Sequence, residues 1–388
     1  MEYTRWEVKL SLLLVSSLTI ASMITISSSL PDMSRDFANY PNGQALVKLS
    51  LSLPALFIAL TAILAGKFID RKGRKPLLGI ALIAYAAAGS SGYWLDNLYG
   101  ILAGRALLGI SVGITMTIVT TLVADYYQGA ARQQFAGLQI AVMSLAGILF
   151  ISLGGWLADI RWNVPFLLYL YALMILPIAL RFIQEPPPAA AAEARAGIAS
   201  VPVPGVIWLV FASVMLMWVL FFIIPIQIPF YLKAIGVEQN SRIGLAVASS
   251  TLFSAVASFF YARLKARLSF AQLFSIGYGL MAVAFMVVAM ATSYALVVCG
   301  LLLAGMGMGL LIPNSNVLVM QLAPPAVRGR EIGKLTTFWF LGQFVSPLIL
   351  LPFINSYDQE LVFTGIAWIT GILCILFLFS ARLWKPAG

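Results

Sequence analysis

The sequence predicts an all-α membrane protein whose twelve transmembrane helices form two pseudo-symmetric six-helix bundles. Three observations predict it. The 388 residues are 61% hydrophobic and only 10% charged, with a mean hydropathy of +0.96, which excludes a soluble globule with a polar surface. Apolar segments of about 20 residues, the length that crosses a bilayer, use nearly the whole chain. Marked residues recur at a fixed offset between the two halves, the signature of an internal repeat.

The spans fall near 9–30, 44–66, 77–95, 98–122, 134–157 and 163–183, then 204–230, 241–262, 269–291, 293–318, 332–354 and 361–381. The first is too long and too rich in serine for a cleaved signal and is read as a retained helix. Pro186, Pro187 and Pro188, an alanine run, Glu193 and Arg195 separate the sixth span from the seventh, a semi-rigid and then flexible linker. The expected organisation is a bundle over 1–183, a cytoplasmic linker over 184–203 and a second bundle over 204–388. Cys299 and Cys374 both fall inside apolar runs, so they read as packing residues rather than a disulfide framework.

Charge orients the spans. Of the 24 Lys and Arg, 18 fall on one side and five (Arg35, Lys48, Arg161, Lys233 and Arg242) on the other, while Arg105 is placed within a span. The positive-inside rule then puts both termini in the cytoplasm. The net charge of +10 is therefore an orientation signal, and no aromatic-interleaved basic face points to nucleic acid.

Between the second and third spans, Gly66–Lys75 packs five cations and the carboxylate of Asp70 into ten residues. Orientation needs the cations but not Asp70, Gly66 or Gly73. An offset of 196 residues pairs Gly109 with Gly305, Gly113 with Gly309, Ala130 with Ala326, Arg132 with Arg328 and Gly137 with Gly333. The copy of the charged stretch at Ala262–Arg267 keeps Arg263, Lys265 and Arg267 but has no glycine or aspartate.

Gly66, Asp70, Arg71, Gly73, Arg74 and Lys75, in that register, resemble the signature loop between helices two and three of the major facilitator superfamily, and Arg105 to Gly113 resembles its fourth-helix motif. With the twelve-span layout the resemblance covers essentially the whole chain, and it is closest to the twelve-helix drug and metabolite efflux group. The glycine-proline step common in the fifth helix of that group reads Phe150-Ile151 here, although Pro347 stands at the repeat-related place in the eleventh.

The resemblance implies that Asp70, Arg71, Arg74 and Asp125 form a cluster that latches the outward-facing state, with Gly66 and Gly73 letting helices approach. A purely topological role for the cations is the alternative. It implies that Arg105 assists proton coupling or holds an anionic substrate; the alternative is snorkelling to the nearby interface. No acid is expected at mid-membrane, so Asp32 is the candidate for coupling. The resemblance also implies that spans one, four, seven and ten line the cavity, where the polar and aromatic candidates are Ser22, Thr25, Thr117, Thr121, Trp218, Gln227, Asn314 and Asn316. Glycines and Pro313 predict a close-packed, bendable tenth helix.

The chain has no histidine, no cysteine pair at metal spacing and no phosphate-cradling loop, so no enzyme, cofactor or metal is expected. The expected function is a secondary transporter exporting a small organic molecule by alternating access, proton-coupled, monomeric and resident in the plasma (inner) membrane. An uptake symporter or uniporter is the second reading, and a non-transporting receptor or scaffold the reading from another class.

Overall fold

The computed structural model describes residues 5–185, 202–324 and 327–380, except for the side chains at 63, 65–72 and 355. Among the described residues there are helices and no strand, and twelve spans are long and apolar enough to cross a membrane. The chain divides into two compact units, Met1–Ile198 and Ala199–Gly388.

In the first unit, α1 spans Trp6–Asp36 but is broken: one helix ends at Ile24, a 3-10 turn covers Ser27–Ser29, and Leu30–Asp36 is helical again. Then come α2 (Gly43–Lys72), α3 (Arg74–Trp94), α4 (Leu98–Tyr126) and α5 (Gly129–Ala158), and α6 begins as a 3-10 helix, Val164–Leu170, before Tyr171–Phe182. In the second unit, α7 breaks at Phe222 into Val206–Phe221 and Ile223–Ala234. It is followed by α8 (Asn240–Lys265), α9 (Phe270–Ala289), α10 (Tyr294–Leu322), α11 (Arg328–Ser356) and α12 (Gln359–Phe379).

Gly66–Lys75 is not the loop the sequence suggested. Helix α2 continues to Lys72 and α3 starts at Arg74, because lysine and arginine propagate a helix well. The break is Gly73 alone, at φ +82°, a left-handed conformation that a side chain would strain. Lys48, counted above with the loop charges, is only 3% exposed and lies within α2.

The internal repeat is visible in packing. In the first unit α2 and α3 pack on α4, α1 on α5 and α3 on α6; in the second, α8 and α9 pack on α10, α7 on α11 and α9 on α12. A Cβ on Gly109 would sit 2.5 Å from the carbonyl oxygen of Pro54, and one on Gly305 would sit 2.1 Å from that of Ser250. On Gly113 it would meet the Thr61 Cβ at 2.7 Å, and on Gly309 the Ala257 Cβ at 2.8 Å. Each neighbour in the second unit stands 196 residues after its counterpart. Asn97 caps α4 by accepting from the Tyr99 N–H at 2.9 Å, and Ser293, at the same offset, caps α10 by accepting from the Leu296 N–H at 3.4 Å. The breaks at Ile26 and Phe222 share that offset too. Glycine therefore serves here as a surface for backbone-to-backbone approach, the same use small residues have between membrane helices generally.

Candidate functional site

Arg105, on α4, is fully buried. Its Nε donates to the Ser50 carbonyl at 2.8 Å, Nη1 to the Tyr169 hydroxyl at 2.7 Å and Nη2 to the Ser22 carbonyl at 2.6 Å. Its guanidinium carbon also lies 5.3 Å from the centre of the Tyr169 ring, within cation–π range. The sequence explains why those carbonyls are available. Ser50 precedes Pro54 by four residues inside α2, and proline has no N–H to return to it. Ser22 lies in the last turn of the first α1 helix, which ends at Ile24, where carbonyls lose their intrahelical partners and the macrodipole favours a cation. The guanidinium thus ties two interrupted helices and α6 to α4. It does not snorkel, and its repeat partner Leu301 is equally buried without any such function.

A second cluster sits at the Gly73 end of the first unit. The Arg74 guanidinium pairs with the Asp125 carboxylate at the end of α4, with side chains 7% and 19% exposed. The Arg74 backbone N–H donates to Glu185 at 2.8 and 3.0 Å, and the Lys75 N–H donates to Glu185 at 2.9 Å. Gly73, as N-cap of α3, has no side chain to offer. Its repeat counterpart Ser269 caps α9 itself in a capping box with Gln272, so Glu185 does from 111 residues away what Ser269 does locally. The Tyr126 hydroxyl donates to the Gln184 carbonyl and so holds the chain beside Glu185. Tyr127 stacks on Phe135 with ring centres 4.9 Å apart, and burial raises its phenol pKa above the ordinary value. The side chains of Asp70 and Arg71 and the surroundings of Gly66 lie outside what the structure describes.

Asp32, in the outer segment of α1, pairs with Arg35 at 3.3 Å and keeps 23% of its side chain exposed. The cavity candidates divide by burial. Ser22 and Thr25 are buried and donate to the Thr19 carbonyl at 2.7 Å and the Ala21 carbonyl at 2.5 Å. Thr117 and Thr121 are half-buried, one turn apart, and donate to the Gly113 and Thr117 carbonyls at 2.7 Å each. Asn314 is fully buried; its amide donates to the Phe270 carbonyl at 3.0 Å and its oxygen accepts from the Tyr261 hydroxyl at 3.2 Å. It binds α8, α9 and α10 together, whereas half-buried Asn316 donates to Ile312 at 3.2 Å. Pro313 leaves α10 continuous. Gln227 is 1% exposed, and its oxygen, like the half-buried Trp218 indole nitrogen, has no partner among the described residues.

Sequence reasoning missed Glu185, Tyr169 and the pair Trp339 and Gln343, and it counted the buried Lys48 among the charges of the outer side. The proline four residues after Ser50 was the one legible hint that a donor was needed there.

A family model described as Major Facilitator Superfamily matches residues 12–347 and 238–387. The chain is similar to the multidrug transporter protein MdtP of Bacillus subtilis, with 31% identity over 26% of this chain and 19% of that one. It is also similar to the class H tetracycline resistance protein of Pasteurella multocida, with 26% identity over 45% of this chain and 44% of that one. In both cases the match spans less than half of the curated relative. The crystal structure of a D-xylose–proton symporter has the same fold, with a TM-score of 0.77 and 16% identity over 98% of this chain and 99% of that one. Twelve apolar spans, a packing repeat of six and a family match running through both units agree: this integral, multi-pass membrane protein belongs to the major facilitator superfamily.

Proposed function

We propose that the chain is a secondary transporter that exports a small organic molecule by alternating access, exchanging it for protons across the plasma (inner) membrane, as a monomer with both termini in the cytoplasm. The observation that carries the reading is the repeat of helix packing and of the α1 and α7 breaks at a single offset. Transporters built from parallel repeats place their substrate site between equivalent halves and use interrupted helices to line it. The two relatives named for multidrug transport and tetracycline resistance favour export.

In this reading the Arg74–Asp125 pair, with Asp70 and Arg71, is a latch at the cytoplasmic end. Arg105 holds the α1 break in shape rather than facing the substrate, and Asp32 is the carboxylate that exchanges protons. Half-buried Thr117, Thr121, Asn316 and Trp218 line the path.

Inside-out vesicles with an acidic lumen test it: the exported solute accumulates while the lumen becomes alkaline. Flux indifferent to the pH gradient removes proton exchange, flux only in the opposite sense favours uptake, and binding without flux favours a receptor. Asp70→Asn is expected to lower the flux in protein that inserts normally; unchanged flux removes the latch.

A further inference from the structure

The seam between α7 and α11 in the second unit holds three buried polar atoms without a partner among the described residues: the indole nitrogens of Trp218 and Trp339 and the amide oxygen of Gln343. Gln343 is 4% exposed. The two indole rings lie 6.1 Å apart, tilted by 46°, and Gln343 is one helical turn from Trp339, on the same face. Gly342 makes this proximity possible, since a Cβ there would sit 2.8 Å from the Trp218 Cβ and 2.5 Å from the Met215 carbonyl oxygen.

The repeat shows that the fold does not require two indoles and an amide here. At the same offset the first unit has Ser22, Met143 and Gly147. Along its α1–α5 seam Ala21, Ala146 and Phe150 close into an apolar cluster. An unpaired buried donor or acceptor destabilises the protein that carries it. Three of them together, at positions that hold Ser22, Met143 and Gly147 in the first unit, mark a place where a ligand completes the hydrogen bonds.

We propose that Trp218, Trp339 and Gln343 form a subsite for a neutral, planar heteroaromatic solute. The two indole N–H groups donate to two acceptors of the solute, and the Gln343 oxygen accepts from one N–H of the solute. Inserting a ring between two stacked partners needs centres about 7 Å apart, more than the 6.1 Å observed. The solute therefore lies against the tilted indoles rather than between them. The subsite deepens the transporter reading and rests on it for its physiological meaning.

Theophylline and caffeine are suitable probes, because both carry two ring carbonyls and only theophylline has a ring N–H. Titration calorimetry on the full chain in lipid nanodiscs is expected to show theophylline binding more tightly than caffeine by roughly three- to tenfold, the effect of one hydrogen bond. In Gln343→Leu that preference disappears, and the melting temperature of the ligand-free protein rises as a buried unpaired oxygen is removed. Trp339→Phe weakens both probes to a similar extent. Equal affinity for the two probes, a preference that survives Gln343→Leu, or no binding of either to the wild-type chain overturns the subsite and leaves the polar atoms to bound water. Binding is read without flux, so a bound compound that is not exported counts against export alone. Export with unchanged KM in the double variant W339F/Q343L counts against the subsite alone.

Discussion

Replacing Arg105 by methionine keeps a long, flexible chain and removes the guanidinium. It strands the Ser50 and Ser22 carbonyls and the Tyr169 hydroxyl, all buried acceptors of the 2.6–2.8 Å hydrogen bonds. Each abandoned group costs about 1–3 kcal/mol, while relief from burying an ion returns several kcal/mol. The net expectation is a loss of about 3 kcal/mol, a fall of several degrees in the melting temperature of the purified protein. Pro54 allows a sharper test. In Pro54→Ala the new N–H at position 54 is placed to donate to the Ser50 carbonyl, the bond that the proline denies to α2. In the Arg105→Met background this change should restore about 1 kcal/mol, whereas beside the intact guanidinium it competes for an acceptor already used. A double-mutant cycle isolates the difference. A coupling energy of zero, with Arg105→Met melting as the wild type does, refutes the account of Arg105 as the partner of two interrupted helices.

The remaining expectations concern glycines and the Gly73 end. Gly305→Ala drives a methyl to 2.1 Å from the Ser250 carbonyl oxygen and should cost about 1–3 kcal/mol, whereas Gly333→Ala, with nothing within 4 Å, should be neutral or stabilise α11 by up to about 1 kcal/mol; thermal melts of the two distinguish them. Asp125→Asn removes the negative charge that pairs with the largely buried Arg74 guanidinium and should destabilise the Gly73 end by about 1–3 kcal/mol, read as faster proteolysis there and a changed rate of flux. Glu185→Ala removes the acceptor for the Arg74 and Lys75 N–H groups. It should cost about 1 kcal/mol, and faster hydrogen exchange at those two amides with the rest of α3 unchanged is the expected signature.

The span count, the two halves and their offset were all legible in the amino-acid sequence, because each is a local property. A bilayer demands a length of apolar chain, and a close approach of two backbones favours a glycine, so Gly109 and Gly305 announce the same contact twice. The boundaries of the charged stretch were less legible: Lys and Arg serve equally well in a loop and in a helix, and only the positive φ of Gly73 limits the break to one residue. Tertiary structure alone decided the partners of the polar groups. Arg105 is satisfied by residues 55, 64 and 83 positions away, and Glu185 caps a helix more than a hundred residues before it. Trp218 stands beside Trp339 only because α7 and α11 close at Gly342. In each case the determining quantity is which buried donor meets which buried acceptor across helices distant in sequence, and no periodicity along one helix encodes that pairing.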